Sequence, residues 1–393
     1  MSGLESAGMG FSGDLEKLVC ELVAIESVNP DLVATGSGES RLATFVAEWL
    51  GAEGLSVQVV EPVPGRPSVI GVLPGSGGGA SLMLNAHMDT VGAGGMKDPF
   101  VPYVREGRVY GRGAYDMKGS LAAIMIAARE AKKLKLRGDV IVAAVADEEV
   151  ASIGTSAVLK RIEADAAIVT EPTELRLCLA HKGFAWLEVE TRGVAAHGSR
   201  PDLGIDAVAH MGRILTGVLE LDHQLRAGRG HLLLGTGTVH ASLIEGGQEL
   251  STYPARCVVT LERRTIPGED GATALQEIEH LIANARGQDP ALEATVKLTL
   301  ERPSSQLGAD SFVTEAVEQA AVEVLKRQPE VIGVAYWMDM ALSNAVDIPT
   351  VAFGPSGEGA HADVEWVDIA SLETCVAIYL RTAERICGSS ERV

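Results

Sequence analysis

The chain has 393 residues, 46% of them hydrophobic and 22% charged, a soluble globular composition on a length that points to two domains and excludes one small module. Acidic residues outnumber basic ones 53 to 33, for a formal charge of −20, which argues against nucleic acid as a partner because no counterions would be released from a phosphate backbone. No stretch approaches the roughly 18 apolar residues of a membrane span, and Met1 to Asp14 reads as a loose terminus without a secretory core, so a cytoplasmic location is expected. The five cysteines, Cys20, Cys178, Cys257, Cys375 and Cys387, are widely separated and form no Cys-x-x-Cys, so neither a disulfide framework nor a thiolate metal site is expected.

In chain order, Leu15 to Ile25 and Arg41 to Leu50 show helical apolar spacing, Leu82 to Ala86 is a short apolar strand, and Leu121 to Leu134 is an Ala-rich helix. Val140 to Ala146 is apolar throughout, and Ala166 to Thr170 repeats this on a smaller scale. Continuous apolarity suits a strand covered on both faces, and strands alternating with helices predict an α/β layer with parallel strands. From about His181 the texture changes. Ala185 to Thr191 alternates, Ile205 to Leu221 and Thr273 to Ala285 read as helices, and Val239 to Ile244 and Cys257 to Leu261 as strands. Residues 183–297 therefore read as an α+β insert. After Pro303 a helix over Ser311 to Leu325 and a strand over Thr350 to Phe353 return the chain to the first sheet.

Candidate ligands cluster where strands end. His87 and Asp89 follow Leu82 to Ala86, Asp147, Glu148 and Glu149 follow Val140 to Ala146, and Glu171 follows Ala166 to Thr170. Asp116 sits in the glycine-rich run Gly111 to Gly119, and His361 in the glycine-rich loop after Thr350 to Phe353. Singly each is an ordinary strand-end or turn residue; together they point to one place, because ligands in open α/β sheets bind beyond the carboxyl ends of the strands. Imidazoles with carboxylates suit zinc, cobalt or manganese better than calcium. Two ions sharing a bridging carboxylate, about 3.5 to 4 Å apart, can bring the pKa of a water toward about 7. One of Glu148 and Glu149 would then bind metal and the other take the water's proton. His181, His210, His223, His231, His240 and His280 lack such a context and are read as surface or structural.

The motifs Ser27-Val28-Asn29-Pro30, His87-Met88-Asp89, Gly111 through Gly119, Asp147-Glu148-Glu149, Thr170-Glu171-Pro172 and Ala360-His361-Ala362 occur in that order. In them nearly the whole chain resembles the co-catalytic zinc amidohydrolase and peptidase family of acetylornithine deacetylase, succinyl-diaminopimelate desuccinylase, aminoacylase and glutamate carboxypeptidase. The resemblance implies a three-layer α/β/α catalytic domain with a mostly parallel sheet, residues 1–182 and 298–393, interrupted by a ferredoxin-like lid and dimerisation domain, residues 183–297. It implies two divalent ions, one held by His87, Asp116 and Glu171 and the other by Asp116, Glu149 and His361, with Asp116 as the bridge. Glu148 would be the general base, Asp89 would hold the His87 ring, and the peptide after Asp116 would be cis. His197, in Gly193 to Ser199, matches a histidine that stabilises the oxyanion in the partner subunit's site, which implies a homodimer. Arg264 matches a lid arginine that binds the substrate carboxylate, with Arg263 beside it as the alternative.

Two features depart from the family pattern. Ser251 stands where relatives usually carry Asn, and the segment around Trp337 to Met340 lacks the arginine-containing loop of a succinyl-diaminopimelate desuccinylase. Glu171, where aminopeptidase-type relatives have Asp, favours recognition of a free carboxylate. The expected activity is hydrolysis of an N-acyl amino acid amide, with a dipeptidase or carboxypeptidase as the alternative. A non-catalytic binding protein would have lost the base or a ligand, and an acyltransferase would need a Gly-x-Ser-x-Gly elbow; neither condition is met.

Overall fold

A computed structural model of the chain describes residues 11–388. Met1 to Gly10 of the expected loose terminus lie outside the described residues, and Ser12 to Asp14 belong to the helix Ser12–Val23. The chain divides into two compact units. One comprises Met1–Leu179, Leu307–Ile332 and Met338–Val393, the other Ala180–Gln306 and Gly333–Trp337. The sequence reading placed the second boundary at 297/298, but the strand Glu293–Arg302 runs across that point, so the division falls after it.

The first unit is built on a mostly parallel sheet. Its strands lie in the order Ser56–Val60, Ser68–Leu73, Val140–Val145, Leu82–His87, Ala166–Val169, Thr350–Ala352 and Leu177–His181. The pairings among Val140–Val145, Leu82–His87, Ala166–Val169 and Thr350–Ala352 are parallel, and antiparallel strands flank them. Every residue of Leu82–His87 and of Val140–Val145 is buried, because helices cover both faces. On one side Met83, Ile141, Ala143 and Val145 pack with Val158 of the short helix Ile153–Val158. On the other, the helix Gly119–Ala131 lies against both strands and against Ile369–Cys387. That helix is buried at every position except Arg129 and Glu130, which accounts for its alanines: small side chains let a helix sit close to its neighbours on all sides.

A small antiparallel sheet, Gly357–Glu358, Trp366–Asp368, Arg108–Tyr110 and Tyr103–Arg105, has no counterpart in the sequence reading; its strands are only two or three residues long, too short for periodicity to register. No helix among the described residues is long and apolar enough to cross a membrane.

The second unit is a βαββαβ arrangement. Its strands Thr238–Gly246, Arg256–Thr265, Gly183–Arg192 and Glu293–Arg302 lie in that spatial order, all pairings antiparallel. Ala185, Leu187 and Val189 alternate onto a core with Val259 and Leu261, and Ile214 and Ile278 reach it from the helices Ala207–Ala227 and Gly271–Gln288. Each helix starts on an aspartate, Asp206 accepting from the Ala209 N–H at 2.9 Å and Asp270 from the Thr273 N–H at 2.7 Å, so backbone donors otherwise left open are satisfied.

The sheet that ends in His87 should be intolerant of cavities. Leu84→Ala removes a fully buried side chain and is expected to cost about 2–5 kcal/mol. Urea unfolding checks this, and a loss below about 1 kcal/mol would contradict the close packing described.

Candidate metal centre

Register delivers the site. His87 pairs with Val145, and the ladder extends one bond further as the Met88 N–H donates to the Val145 carbonyl at 2.7 Å. Asp89 and Asp147 thus leave the sheet side by side. Asp147 adopts a left-handed φ of 68°, which turns the chain so that the Glu148 and Glu149 N–H groups donate to the two Asp89 carboxylate oxygens at 3.1 and 3.2 Å. On the other flank Thr170 donates to the Asn85 carbonyl through its N–H and its hydroxyl, both at 2.9 Å, setting Glu171 beyond the same edge. Asp116 arrives on a turn entered at Gly113, where φ is 80°, and the Asp116–Met117 peptide is cis. His361, with φ of 61°, comes from the loop after Thr350–Ala352.

These residues converge. His87 Nε2 lies 3.1 Å from Asp116 Oδ1 and 3.6 Å from Glu171 Oε1, while His361 Nε2 lies 3.3 Å from Asp116 Oδ2 and 3.1 Å from Glu149 Oε2. The two oxygens of Asp116 therefore face different imidazoles, as a bridging carboxylate requires. Ligand atoms of His87, Glu148 and Glu171 lie within 4.8 Å of one another, as do those of His87, Asp116 and Glu149. Glu148 is thus close enough to offer an oxygen as well as to act as a base.

The electrostatics call for cations. Burial and the neighbouring Asp116 charge raise the Glu149 carboxyl, burial and Glu171 push Glu148 well above the carboxylate range, and burial carries Glu171 up to about 8. Asp116, despite its own burial, is held below the usual range by hydrogen bonds from His361 and His87. Those bonds to Asp116 and Glu149 lift His361 to about 10. Glu149 Oε1 is buried without a hydrogen-bond partner. Borderline nitrogen donors, hard oxygen donors and an uncompensated buried oxygen fit divalent ions of the zinc, cobalt or manganese type.

Asp89 meets the His87 ring differently from expectation. His87 Nδ1 bonds the Asp89 backbone carbonyl at 2.9 Å, whereas the Asp89 carboxylate stands 3.6 Å away and is taken up by the Glu148 and Glu149 N–H groups and by Asn29 Nδ2 at 2.8 Å. Asn29 also donates to Asp147 Oδ1 at 2.9 Å. That oxygen accepts from Arg66 Nη2 at 2.9 Å, while Arg66 forms a two-pronged pair with the buried Glu39 at 2.7 and 2.8 Å. Arg66, Glu39 and Asn29 thus brace the segment carrying Glu148 and Glu149. Sequence reasoning missed the first two, which stand in no recognisable motif. Asp339, also missed, is buried, bonded by the Thr155 hydroxyl and raised by burial to about 6.

The remaining two candidates belong to the second unit. His197 is exposed, its Nδ1 2.8 Å from the Ser199 hydroxyl, and Ser251 accepts the Gly198 N–H through its carbonyl at 2.7 Å. Arg264 pairs with Glu262 at 2.7 Å and lies over the Phe184 ring, remaining partly accessible. Arg263 is 1% exposed and committed to Glu277 and Glu269, so Arg264, though paired with Glu262, is the more accessible arginine of the two.

Fold and site together define a metallohydrolase architecture, and the chain belongs to peptidase family M20/M25/M40, which it matches over residues 83–385. It is a metal-dependent amidohydrolase of that family. An acetylornithine deacetylase of Myxococcus xanthus is 31% identical over 391 residues, covering 95% of this chain and 98% of the relative. One from Proteus mirabilis is 28% identical, covering 94% and 96%. Among solved structures, an aminopeptidase from Bacillus cereus superposes with a TM-score of 0.79 at 19% identity, covering 95% of this chain and 98% of that one. A dinuclear metal-binding peptidase from Bacillus subtilis gives 0.72 at 18%, covering 96% and 99%.

Two outcomes are expected. With His361 raised to about 10 and Glu171 to about 8, both hold protons at neutral pH until an ion displaces them, so binding should release protons and tighten as pH rises. Calorimetry of zinc binding in buffers of different ionisation enthalpy checks this, and pH-independent binding without proton release would contradict it. Arg66→Met leaves Glu39 and Asp147 buried without their cation and should destabilise the fold by about 3–5 kcal/mol, read by urea unfolding; a change under about 1 kcal/mol would remove Arg66 from the bracing role.

Proposed function

We propose that the protein is a dinuclear deacylase that hydrolyses N-acyl amino acids to a carboxylate and a free amino acid. The chemistry rests on the two Asp116 oxygens facing the His87 and His361 imidazoles. The substrate class is supported by relatives named acetylornithine deacetylase, similar along nearly the whole chain. His87, Asp116 and Glu171 would hold one ion, and Asp116, Glu149 and His361 the other, as zinc or, alternatively, cobalt or manganese.

When bound, the ions supply a polarised substrate carbonyl and a water acidic enough to lose a proton near neutral pH. Glu148 accepts that proton on its carboxylate as the C–O bond forms. It then delivers the proton to the departing amine nitrogen as the C–N bond breaks, which leaves Glu148 ionised for the next turnover. Asp89 keeps Glu148 in place through the two backbone N–H groups it accepts.

His197 of a second subunit would donate to the developing oxyanion, and Arg264 would clasp the substrate carboxylate with its planar fork. Both roles agree with the accessibility of these side chains. The homodimer this requires would form through the edge strand Thr238–Gly246, where Leu243 is 71% and Ile244 58% exposed and unpaired backbone can join a second copy across a two-fold axis.

A panel of N-acetyl, N-formyl and N-succinyl amino acids and unblocked dipeptides, assayed before and after chelation, tests the reading. Chelator-sensitive release of amino acid from acylated substrates is expected, and cleavage of dipeptides alone would replace the deacylase with a dipeptidase or carboxypeptidase. Glu148→Ala should keep its metal content by elemental analysis while turnover falls about 100- to 10,000-fold. Near-normal turnover would remove Glu148 as the base.

A further inference from the structure

We infer that Glu365 is a positioning residue of the metal centre, clamping the Asp116 turn to the His361 loop; this rests on the dinuclear reading above. Glu365 is fully buried and its carboxylate is saturated with donors. Oε1 accepts the Tyr115 N–H at 2.9 Å and the Asp116 N–H at 3.0 Å, and Oε2 accepts the Gly113 N–H at 2.9 Å and Arg112 Nη1 at 2.7 Å. Three backbone bonds, from Gly113, Tyr115 and Asp116, thus grip the turn that carries the proposed bridging carboxylate. The pairing of Trp366 with Tyr110, and the Gly111 N–H bond to the Glu365 carbonyl at 3.2 Å, fix Glu365 against this turn.

The same carboxylate reaches the other ligand. Glu365 lies four residues beyond His361, and Arg112, whose Nη1 it holds, donates through Nη2 to the Ala362 carbonyl at 2.8 Å. The His361 side chain is 54% exposed, so hydrogen bonds to the loop backbone contribute to holding it in place. The Gly95 N–H bond to Asp363 at 2.9 Å is a further tether. Two of the three ligands proposed for one ion, Asp116 and His361, therefore depend on the Glu365–Arg112 pair, against one of three for the other ion. A charge-bearing acceptor is needed here because a neutral amide has a single oxygen and would set its own N–H groups against these donors.

The test is a cobalt titration of the ion-free full-length protein and of Glu365→Gln, with visible absorption reading coordination and calorimetry reading affinity. The parent should take up two equivalents. The variant, shown to be folded by thermal unfolding, should bind one of them about 10- to 100-fold more weakly relative to the other, with an altered absorption band. Should Glu365→Gln fail to fold, Arg112→Lys, which keeps a cation beside Glu365 but loses the reach to Ala362, should weaken the same equivalent by a smaller factor. Equal weakening at both positions, or parental affinity and spectrum at both, would overturn the clamp. Fewer than two equivalents in the parent would overturn the dinuclear reading and the clamp with it.

Discussion

Carboxylates buried beside one another repel strongly in a medium of low dielectric, and a protein that gathers them must put positive charge or hydrogen-bond donors between them. This chain gathers Asp89, Asp116, Asp147, Glu148, Glu149 and Glu171 at one edge of its central sheet and treats them in two ways. Asp147 is given the Arg66 guanidinium, and Asp89 a side-chain amide and two backbone N–H groups. The others face imidazoles and one another, with raised carboxyls at Glu148, Glu149 and Glu171. The first group is given donors by the fold itself, although Asp147 Oδ2 is buried without a hydrogen-bond partner. The second would be compensated by the proposed divalent ions, with Glu148 standing among the ligands as the proposed base.

The sheet makes such crowding possible. Parallel strands in register end together, so His87 opposite Val145 brings two acidic segments out at the same level, and Ala166–Val169 adds a third. Helices on both faces bury the strands, and the ligand candidates they carry sit at the last position of Leu82–His87 or just past the strand ends. There the regular ladder stops, and a left-handed Asp147 can aim its successors back toward Asp89.

Strand ends were readable in the sequence because continuous apolar runs such as Val140–Val145 announce burial on both faces and the polar residues that follow stand out. Ordered motifs carried the rest of the ligand set, including Asp116, whose glycine-rich turn alone says little. The braces were not readable. Arg66 is 27 residues from Glu39 and 81 from Asp147, and Arg112 is 253 from Glu365, and no local pattern records contacts at such separations. Ser56–Val60 and Ser68–Leu73 escaped notice because prolines punctuate the stretch between them, whereas Glu293–Arg302 does carry a strict alternation at Ala294, Val296, Leu298 and Leu300, and the boundary drawn at 297/298 cut through it. The proximity of the Asp89 carbonyl, rather than its carboxylate, to the His87 ring is a matter of backbone path, which side-chain identity does not encode.

The central claim is that Asp116 bridges two ions at the ends of these strands. A crystal structure of the zinc-loaded protein, with anomalous scattering measured across the zinc edge, tests it most directly. The expected result is two anomalous peaks on either side of Asp116, one beside His87 and Glu171 and the other beside Glu149 and His361. A single peak, or two peaks that leave one Asp116 oxygen without a metal contact, would contradict it.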